Sequence, residues 1–352
     1  MHLYLHIPFC DSKCFYCSFN SYTNLHDRIS SYFKALNSSL KWQLEHFNIA
    51  KNSIDTLFIG GGTPSCATFG YYEDIFNTLS FYLKQNAEIT CEANPNSATK
   101  EWLSGMKSLG VNRMSFGVQS FNEKKLKALN RAHSKKEAID AVEFAHSVGF
   151  KNISIDIIYD FFTDTKELLI NDIKQAFKLP INHISTYELT IEKATEFSKR
   201  SEVKANKESF NFLVRDEIVA NALEWYEVSN YGSYKSKHNI GYWKHNEYLG
   251  VGAGAVGYIN NFRYYPHTNI DRFIKEPNFY KQEMLSKEDI LTEQIFLGLR
   301  SFVGVDSKIL PKSMQKRADI LLQEGKLVLR DGRYFNRDYF LSDELALFIM
   351  QN

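Results

Sequence analysis

Leu3-Tyr4-Leu5-His6-Ile7-Pro8-Phe9-Cys10-Asp11-Ser12-Lys13-Cys14-Phe15-Tyr16-Cys17 reads as an alternating strand running into a loop that carries three cysteines. Leu3, Leu5 and Ile7 share one face of that strand, which puts Tyr4 and His6 together on the other. Three of the five cysteines in the chain fall within eight positions, a clustering that points to a metal and away from a disulfide framework. Thiolates spaced C-x3-C-x2-C can wrap one iron–sulfur cubane with three ligands and leave its fourth iron open. Zinc is the competitor, but a structural zinc site wants four ligands, and no fourth Cys or His follows at finger-like spacing. Three unliganded thiols are the remaining alternative, and Cys66 and Cys91 read as small buried thiols.

Working outward, β-rich runs recur at 3–7, 56–59, 88–92, 113–117, 153–158 and 183–189 with helical stretches between them. Ser134-Lys135-Lys136-Glu137 has capping-box spacing ahead of Ala138, Ala141, Val142 and Ala145, and Gly149 stands where a C-terminal cap belongs. A helix therefore joins the fourth and fifth strands. The alternation predicts an α/β fold with right-handed crossovers and a parallel sheet, closing partly into a barrel of six βα units. An open doubly wound sheet is the alternative, and in both the ligands sit at the C-terminal ends of the strands.

Beyond residue 190 a Lys/Glu/Ser-rich stretch runs through Lys207, followed by a helix to Ala222 and an aromatic, glycine-rich segment over 226–265 expected to hold strands and turns. From about Leu285 two helices precede Gly325-Lys326-Leu327-Val328-Leu329-Arg330-Asp331-Gly332-Arg333-Tyr334-Phe335, where Asp-Gly between alternating runs marks a hairpin. The expected organisation is a barrel over 1–205, an extension over 206–284 and a small winged-helix-like α+β domain over 285–352.

The 352 residues, 44% hydrophobic and 24% charged, suit one large barrel with a smaller appendage. A formal net charge of +1 argues against a dominant nucleic-acid or membrane-surface field. The N-terminus lacks a basic n-region, and no run approaches the ~18–20 apolar residues of a membrane span, so a cytoplasmic protein is expected.

C-x3-C-x2-C after a strand is the signature of the radical-SAM superfamily, and this chain resembles its members. The resemblance implies that the open iron chelates the amino and carboxylate groups of S-adenosylmethionine, whose cleavage by electron transfer yields a deoxyadenosyl radical. Gly60-Gly61-Gly62-Thr63-Pro64 would, alone, be a tight strand-to-helix turn, since glycines allow close backbone approach. Beside the cysteine motif it resembles the turn that meets the methionine amino group in that superfamily. Tyr4 through Cys10, Gly60 through Pro64, and Asn112-Arg113-Met114-Ser115-Phe116-Gly117-Val118-Gln119-Ser120-Phe121 match the coproporphyrinogen-dehydrogenase-like family over most of residues 1–160. That match implies S-adenosylmethionine contacts at Tyr4, Gly61, Gly62, Thr63, Glu92, Gln119, Arg131 and Asp156. Glu92 and Asp156, expected at strand ends, would accept from ribose hydroxyls or the ammonium, or else cap helices. Arg131 offers a fork for a carboxylate, against the plain reading of a solvated cation.

The family holds oxygen-independent coproporphyrinogen III oxidases and heme chaperones. The oxidases carry a further cysteine two places after the third ligand and a long N-terminal arm. This chain has Ser18-Phe19 there, and its first strand begins at residue 3. His238-Asn239-Ile240-Gly241-Tyr242-Trp243 matches the HNxxYW motif of the chaperones. The resemblance therefore implies heme as a third ligand beside the cluster and S-adenosylmethionine, with His238 as axial ligand and Tyr242 and Trp243 flanking the porphyrin. The alternative is a hydrogen-bonded histidine in an aromatic core. Implied partners are an electron donor and a heme-acceptor protein, any peripheral membrane contact coming through the acceptor, with no nucleic acid. The chain departs from the family at Asp160-Phe161-Phe162-Thr163-Asp164, where Gly-Leu-Pro is usual, and at Lys193-Ala194, where Pro-Gly is usual. A reading of another class is a cluster-containing, redox-sensing DNA-binding protein built on the winged-helix-like end, but 285–352 shows no dense basic stripe.

Overall fold

Alternation along six strands builds the barrel. In the computed structural model, which describes residues 1–204 and 208–351, these are β1 (His2–Ile7), β2 (Ile54–Gly61), β3 (Leu83–Ala93), β4 (Arg113–Gln119), β5 (Asn152–Tyr159) and β6 (His183–Glu188). Each pairs in parallel with the next, Tyr4 standing opposite Phe58, Glu92 opposite Ser115 and Asp156 opposite Ser185. The helices between them are α1 (Ile29–His46), α2 (Glu73–Leu79), α3 (Lys100–Ser108), α4 (Glu123–Ala128), α5 (Lys135–Ser147) and α6 (Lys166–Ala176). All six expected strands are present; the fourth connection holds two helices where one was expected. The Ser134–Glu137 capping box closes with both reciprocal bonds, and Gly149 takes φ 95° at the end of α5.

Leu3, Leu5, Leu57, Ile89, Met114 and Ile155 face the helices and share one buried core with Tyr32, Leu36 and Leu103. The alternate residues, largely polar, line the interior. Burying the apolar face against helices is the main drive for closure, at about 25 cal/mol per Å².

After β6 the chain forms α7 (Asn211–Val219), β7 (Glu224–Trp225), β8 (Asn230–Gly232), α8 (Lys237–Trp243), β9 (Tyr248–Val251), β10 (Gly257–Ile259), β11 (Phe262–Pro266), α9 (Ile270–Lys275) and β12 (Tyr280–Met284). β9 pairs in parallel with β1 and β8 antiparallel to β6, so the sheet flanks its six-stranded centre on both sides and stays open. The boundary expected at 205/206 lies outside the described residues. Helix α8 was not expected within the aromatic segment; at seven residues it is too short to show a helical period, and its start is set by Ser236, whose side chain accepts from Asn239 N.

The C-terminal part packs α10 (Lys287–Leu299), α11 (Lys312–Gln323) and α12 (Ser342–Met350) against a small sheet of β13 (Val305–Asp306), β14 (Leu327–Arg330) and β15 (Arg333–Asn336), around a separate core that includes Leu299, Leu321, Leu327 and Leu345. Asp331 and Gly332 sit at φ 49° and 75°, the two positive values a tight hairpin demands.

Candidate functional site

The loop after β1 carries Cys10, Cys14 and Cys17 to the C-terminal mouth of the barrel. Its base is closed by Cys10 N to Tyr22 O (3.0 Å) and Tyr22 N to Pro8 O (2.8 Å), and its far side is held by Phe15 N to Leu129 O (3.2 Å) and Asn130 Nδ2 to Lys13 O (2.8 Å). Thr63 Oγ1 donates to Cys10 at 3.3 Å and Arg131 Nη1 to Cys14 at 3.2 Å, and the Ser21 and Tyr16 hydroxyls also bond Cys10 and Cys14. Burial pushes the Cys10 thiol up, and the Thr63 hydroxyl opposes that rise. A single zinc, with Zn–S bonds of about 2.3 Å, draws its sulfurs to within about 4 Å of one another. Among the described residues the one triad of donor atoms within 4.8 Å lies elsewhere. At least one pair of these thiols therefore stands farther apart than that, as the ligands on separate iron corners of a cubane do.

The three cysteines line a cavity of about 410 Å³ together with Gly61, Gly62, Thr63, Glu92, Gln119, Arg131 and Asp156. Of the expected cofactor contacts only Tyr4 is absent from the lining; its hydroxyl bonds His6 Nδ1 at 3.0 Å, and His6 Nε2 in turn meets Asn20 O at 2.8 Å on the cluster loop. The glycine turn has both a structural and a ligand-facing side. Gly62 N and Thr63 N are held by Ile7 O (2.8 Å) and Phe9 O (2.7 Å), and a Cβ on Gly62 would stand 2.7 Å from Phe9 O. Gly61 N donates to Glu92 Oε2 at 3.2 Å.

Glu92 and Asp156 cap no helix. Burial, then the neighbouring Asp156, pushes the Glu92 carboxyl up to about 7, opposed by the Gly61 N–H. Burial pushes Asp156 up to about 6, opposed by a hydrogen bond from Ser185. Asp156 stands at mid-strand in β5 and not at its end. Burial thus favours the protonated form of both carboxyls, with Asp156 adding to it at Glu92, and a cationic ligand beside them would reverse that. Arg131 is not a solvated cation: besides Cys14 it binds Gly117 O at 2.5 Å and the Asn94 carboxamide oxygen. Gln119, at φ 66°, leaves its buried Oε1 without a hydrogen-bond partner among the described residues. Such an acceptor costs about 1–3 kcal/mol until a ligand donor meets it. Sequence reasoning missed Asn94, Ser115, Tyr187, Glu188 and Glu192 in this lining; their signal is position, Ser115 standing on the interior face of β4 and the others near or just past a strand's C-terminal end.

His238, expected either as an axial heme ligand or as a hydrogen-bonded histidine in an aromatic core, is engaged on both ring nitrogens. The ring lies at the opposite, N-terminal end of the barrel, 1% exposed, its Nδ1 2.7 Å from Thr56 Oγ1 and its Nε2 2.9 Å from Tyr242 OH. Thr56 Oγ1 also meets His2 Nδ1 (2.8 Å), and Asn246 Nδ2 meets His2 Nε2 (3.2 Å). With Asn246 as donor, each successive group must donate onward: His2 to Thr56, Thr56 to His238, and His238 Nε2–H to Tyr242. Burial lowers the pKa of both histidines, His2 to about 4, so both are neutral. Glu88 anchors the assembly by accepting from Lys237 N (2.9 Å) and His238 N (3.0 Å) at the start of α8. As placed, His238 is the hydrogen-bonded core histidine. Tyr242 also lines a separate cavity of about 320 Å³ with His245, Tyr248, Tyr258 and Arg263, whereas Trp243 does not line it.

The two divergent loops keep left-handed backbone without glycine. Asp160 (φ 63°) accepts from Ser209 Oγ (2.5 Å) and Phe210 N (2.9 Å), and Ala194 sits at φ 64° with no such support from its side chain.

The radical SAM superfamily model matches residues 4–176. The heme chaperone HemW of Lactococcus lactis is 36% identical over 86% of this chain and 82% of that protein, and the HemW of Bacillus subtilis is 32% identical over 93% and 90%. Coproporphyrinogen III oxidase (HemN) from Escherichia coli, a radical SAM enzyme, shares the fold at a TM-score of 0.81 and 18% identity, over 99% of this chain and 89% of that one. Among the described residues no helix is long and apolar enough to cross a membrane. With a radical SAM domain built around the cysteine loop and close relatives along nearly its whole length, the chain belongs to the HemW family of heme chaperones.

Proposed function

We propose that this protein holds a 4Fe-4S cluster on Cys10, Cys14 and Cys17, binds S-adenosylmethionine in the adjoining cavity, and carries heme to an acceptor protein. When bound, the cluster supplies an open iron for chelation and a route for electrons. The chain's own residues do the rest. Glu92 and Asp156 offer carboxylates to the ligand's cationic groups, Gln119 offers an unpaired acceptor, Arg131 and Thr63 hold the thiolates, and the Gly61–Thr63 backbone lets a ligand approach closely.

The observation favouring chaperone over oxidase is that the cations lining the cavity are already committed to the protein's own groups. The carboxylates of that lining are Glu92, Asp156, Glu188 and Glu192, while its cations are Lys13 and Arg131. Lys13 already donates to Phe19 O and Ser21 Oγ, both at 2.7 Å, and Arg131 is spent on Cys14, Asn94 and Gly117. With Arg131 engaged, a porphyrinogen bearing four carboxylates would find no free guanidinium in this lining. Phe19, where the oxidases have a cysteine, stands at the cavity mouth and is 69% exposed.

The test has two arms on anaerobically reconstituted protein. Iron and sulfide analysis, with EPR before and after S-adenosylmethionine, should show a cluster whose signal the ligand perturbs. Incubation with coproporphyrinogen III, S-adenosylmethionine and reductant should give no protoporphyrinogen IX, while titration with heme should give a saturable Soret change. Formation of protoporphyrinogen IX overturns the chaperone reading.

A further inference from the structure

Cys66 is not the isolated buried thiol that its sequence context suggests. It ends the turn Pro64–Cys66 behind the glycine loop and is half-buried. Two other segments converge on it: the cluster loop brings Asp11, and the turn His26–Arg28 ahead of α1 brings His26. One donor atom from each of the three residues lies within 4.8 Å of the other two. Asp11 Oδ1 is 3.6 Å from His26 Nε2, and Asp11 Oδ2 accepts from Asn96 Nδ2 at 3.3 Å, which orients the carboxylate. None of the three lines the cluster cavity, and the proposed function uses none of them.

Thiolate, imidazole and carboxylate together make the mixed S, N, O set that suits zinc and not the oxygen-seeking magnesium or calcium. We propose that Asp11, His26 and Cys66 form a second metal site for one divalent ion of zinc's class, with water in the fourth position, stapling the cluster loop to the glycine turn. Bonds of about 2.0–2.3 Å place tetrahedral ligand atoms roughly 3.3–3.8 Å apart, so the side chains close by about 1.5 Å at most. Asp11 is exposed and can rotate to do so. Cys66 binds as the thiolate, its proton passing to solvent.

The experiment uses full-length, cluster-loaded protein, freed of adventitious metal by a chelator and titrated anaerobically with Zn²⁺ against a chromophoric chelator. The expected result is one zinc per chain in addition to the cluster iron, with affinity lowered about tenfold or more in Cys66→Ser and in His26→Ala while iron and sulfide contents stay unchanged. Absence of zinc uptake by the wild-type protein, or wild-type affinity in both variants, overturns the proposal. A second arm is independent of the cluster. Full-length protein carrying Cys10→Ala, Cys14→Ala and Cys17→Ala should still bind Co²⁺ with a thiolate-to-cobalt charge-transfer band that disappears on adding Cys66→Ser. No such band at saturating Co²⁺ also overturns it.

Discussion

Arg131 donates to the Cys14 sulfur at 3.2 Å from Nη1 and to the Gly117 carbonyl at 2.5 Å from Nη2, so one guanidinium ties the cluster loop to β4. Lysine carries the charge without the fork. Arg131→Lys should therefore retain a cation yet lose the geometry, lowering iron affinity by about 10- to 100-fold, with Arg131→Ala at least as severe. Iron and sulfide analysis after anaerobic reconstitution reads the effect, with circular dichroism to show that the fold is kept. Wild-type cluster content in Arg131→Ala would mean that the Cys14 thiolate needs no cation.

Glu92 and Asp156 make cofactor binding depend on pH. Burial and Asp156 place the Glu92 carboxyl at about 7, so below that pH it is protonated and offers a cation little. S-adenosylmethionine affinity should rise as pH climbs through about 7, and Glu92→Gln should weaken binding and flatten that rise, as measured by calorimetric titration. Stability carries the opposite sign. A carboxyl raised in the folded state from 4.5 to about 7 favours the folded form only while protonated, and its ionisation costs stability progressively between those values. Glu92→Gln should therefore raise the melting temperature of ligand-free protein above about pH 7 and leave it nearly unchanged near pH 4.5. A melting temperature raised equally at both would refute the ionisation account.

The barrel was legible because Leu3, Leu5 and Ile7 alternate with Tyr4 and His6, and a period of two with helical runs between leaves few topologies. The cluster loop was legible because three cysteines at C-x3-C-x2-C have few uses. What the sequence hid depends on distance in space. Cys66 looked solitary until folding brought Asp11 and His26 to it, and Glu188 and Glu192 gave no sign that they line the same cavity as Glu92. The state of His238 was hidden for a related reason: whether an imidazole is free or engaged is decided by Thr56 and Tyr242, one of them 182 residues away.

Ala194 should be a point of removable strain. It holds φ 64° on an exposed loop, where a Cβ costs about 1–2 kcal/mol that glycine does not incur, less what glycine loses in unfolded-state entropy. Ala194→Gly should stabilise the protein, raising the melting temperature by roughly 1–3 °C. Ala222, at φ 65° just past α7, should respond likewise. A fall in melting temperature at both positions would show that chain entropy outweighs the strain.

The His238–Tyr242 pair separates a structural histidine from a heme ligand. His238→Ala alone cannot, because it removes partners from Thr56 and Tyr242 inside the barrel and should cost a few kcal/mol whatever the heme does. Tyr242→Phe is the sharper probe: it deletes the hydroxyl 2.9 Å from Nε2 and keeps the ring. If His238 must be released to reach heme iron, losing that competitor should tighten heme binding. If the ring is a core element, as its two hydrogen bonds indicate, heme affinity and the Soret maximum should stay at wild-type values while stability falls by about 1–3 kcal/mol. The second outcome is expected. Heme titration and chemical denaturation of the one variant decide it, and tighter binding with a shifted Soret band would return His238 to the role of axial ligand.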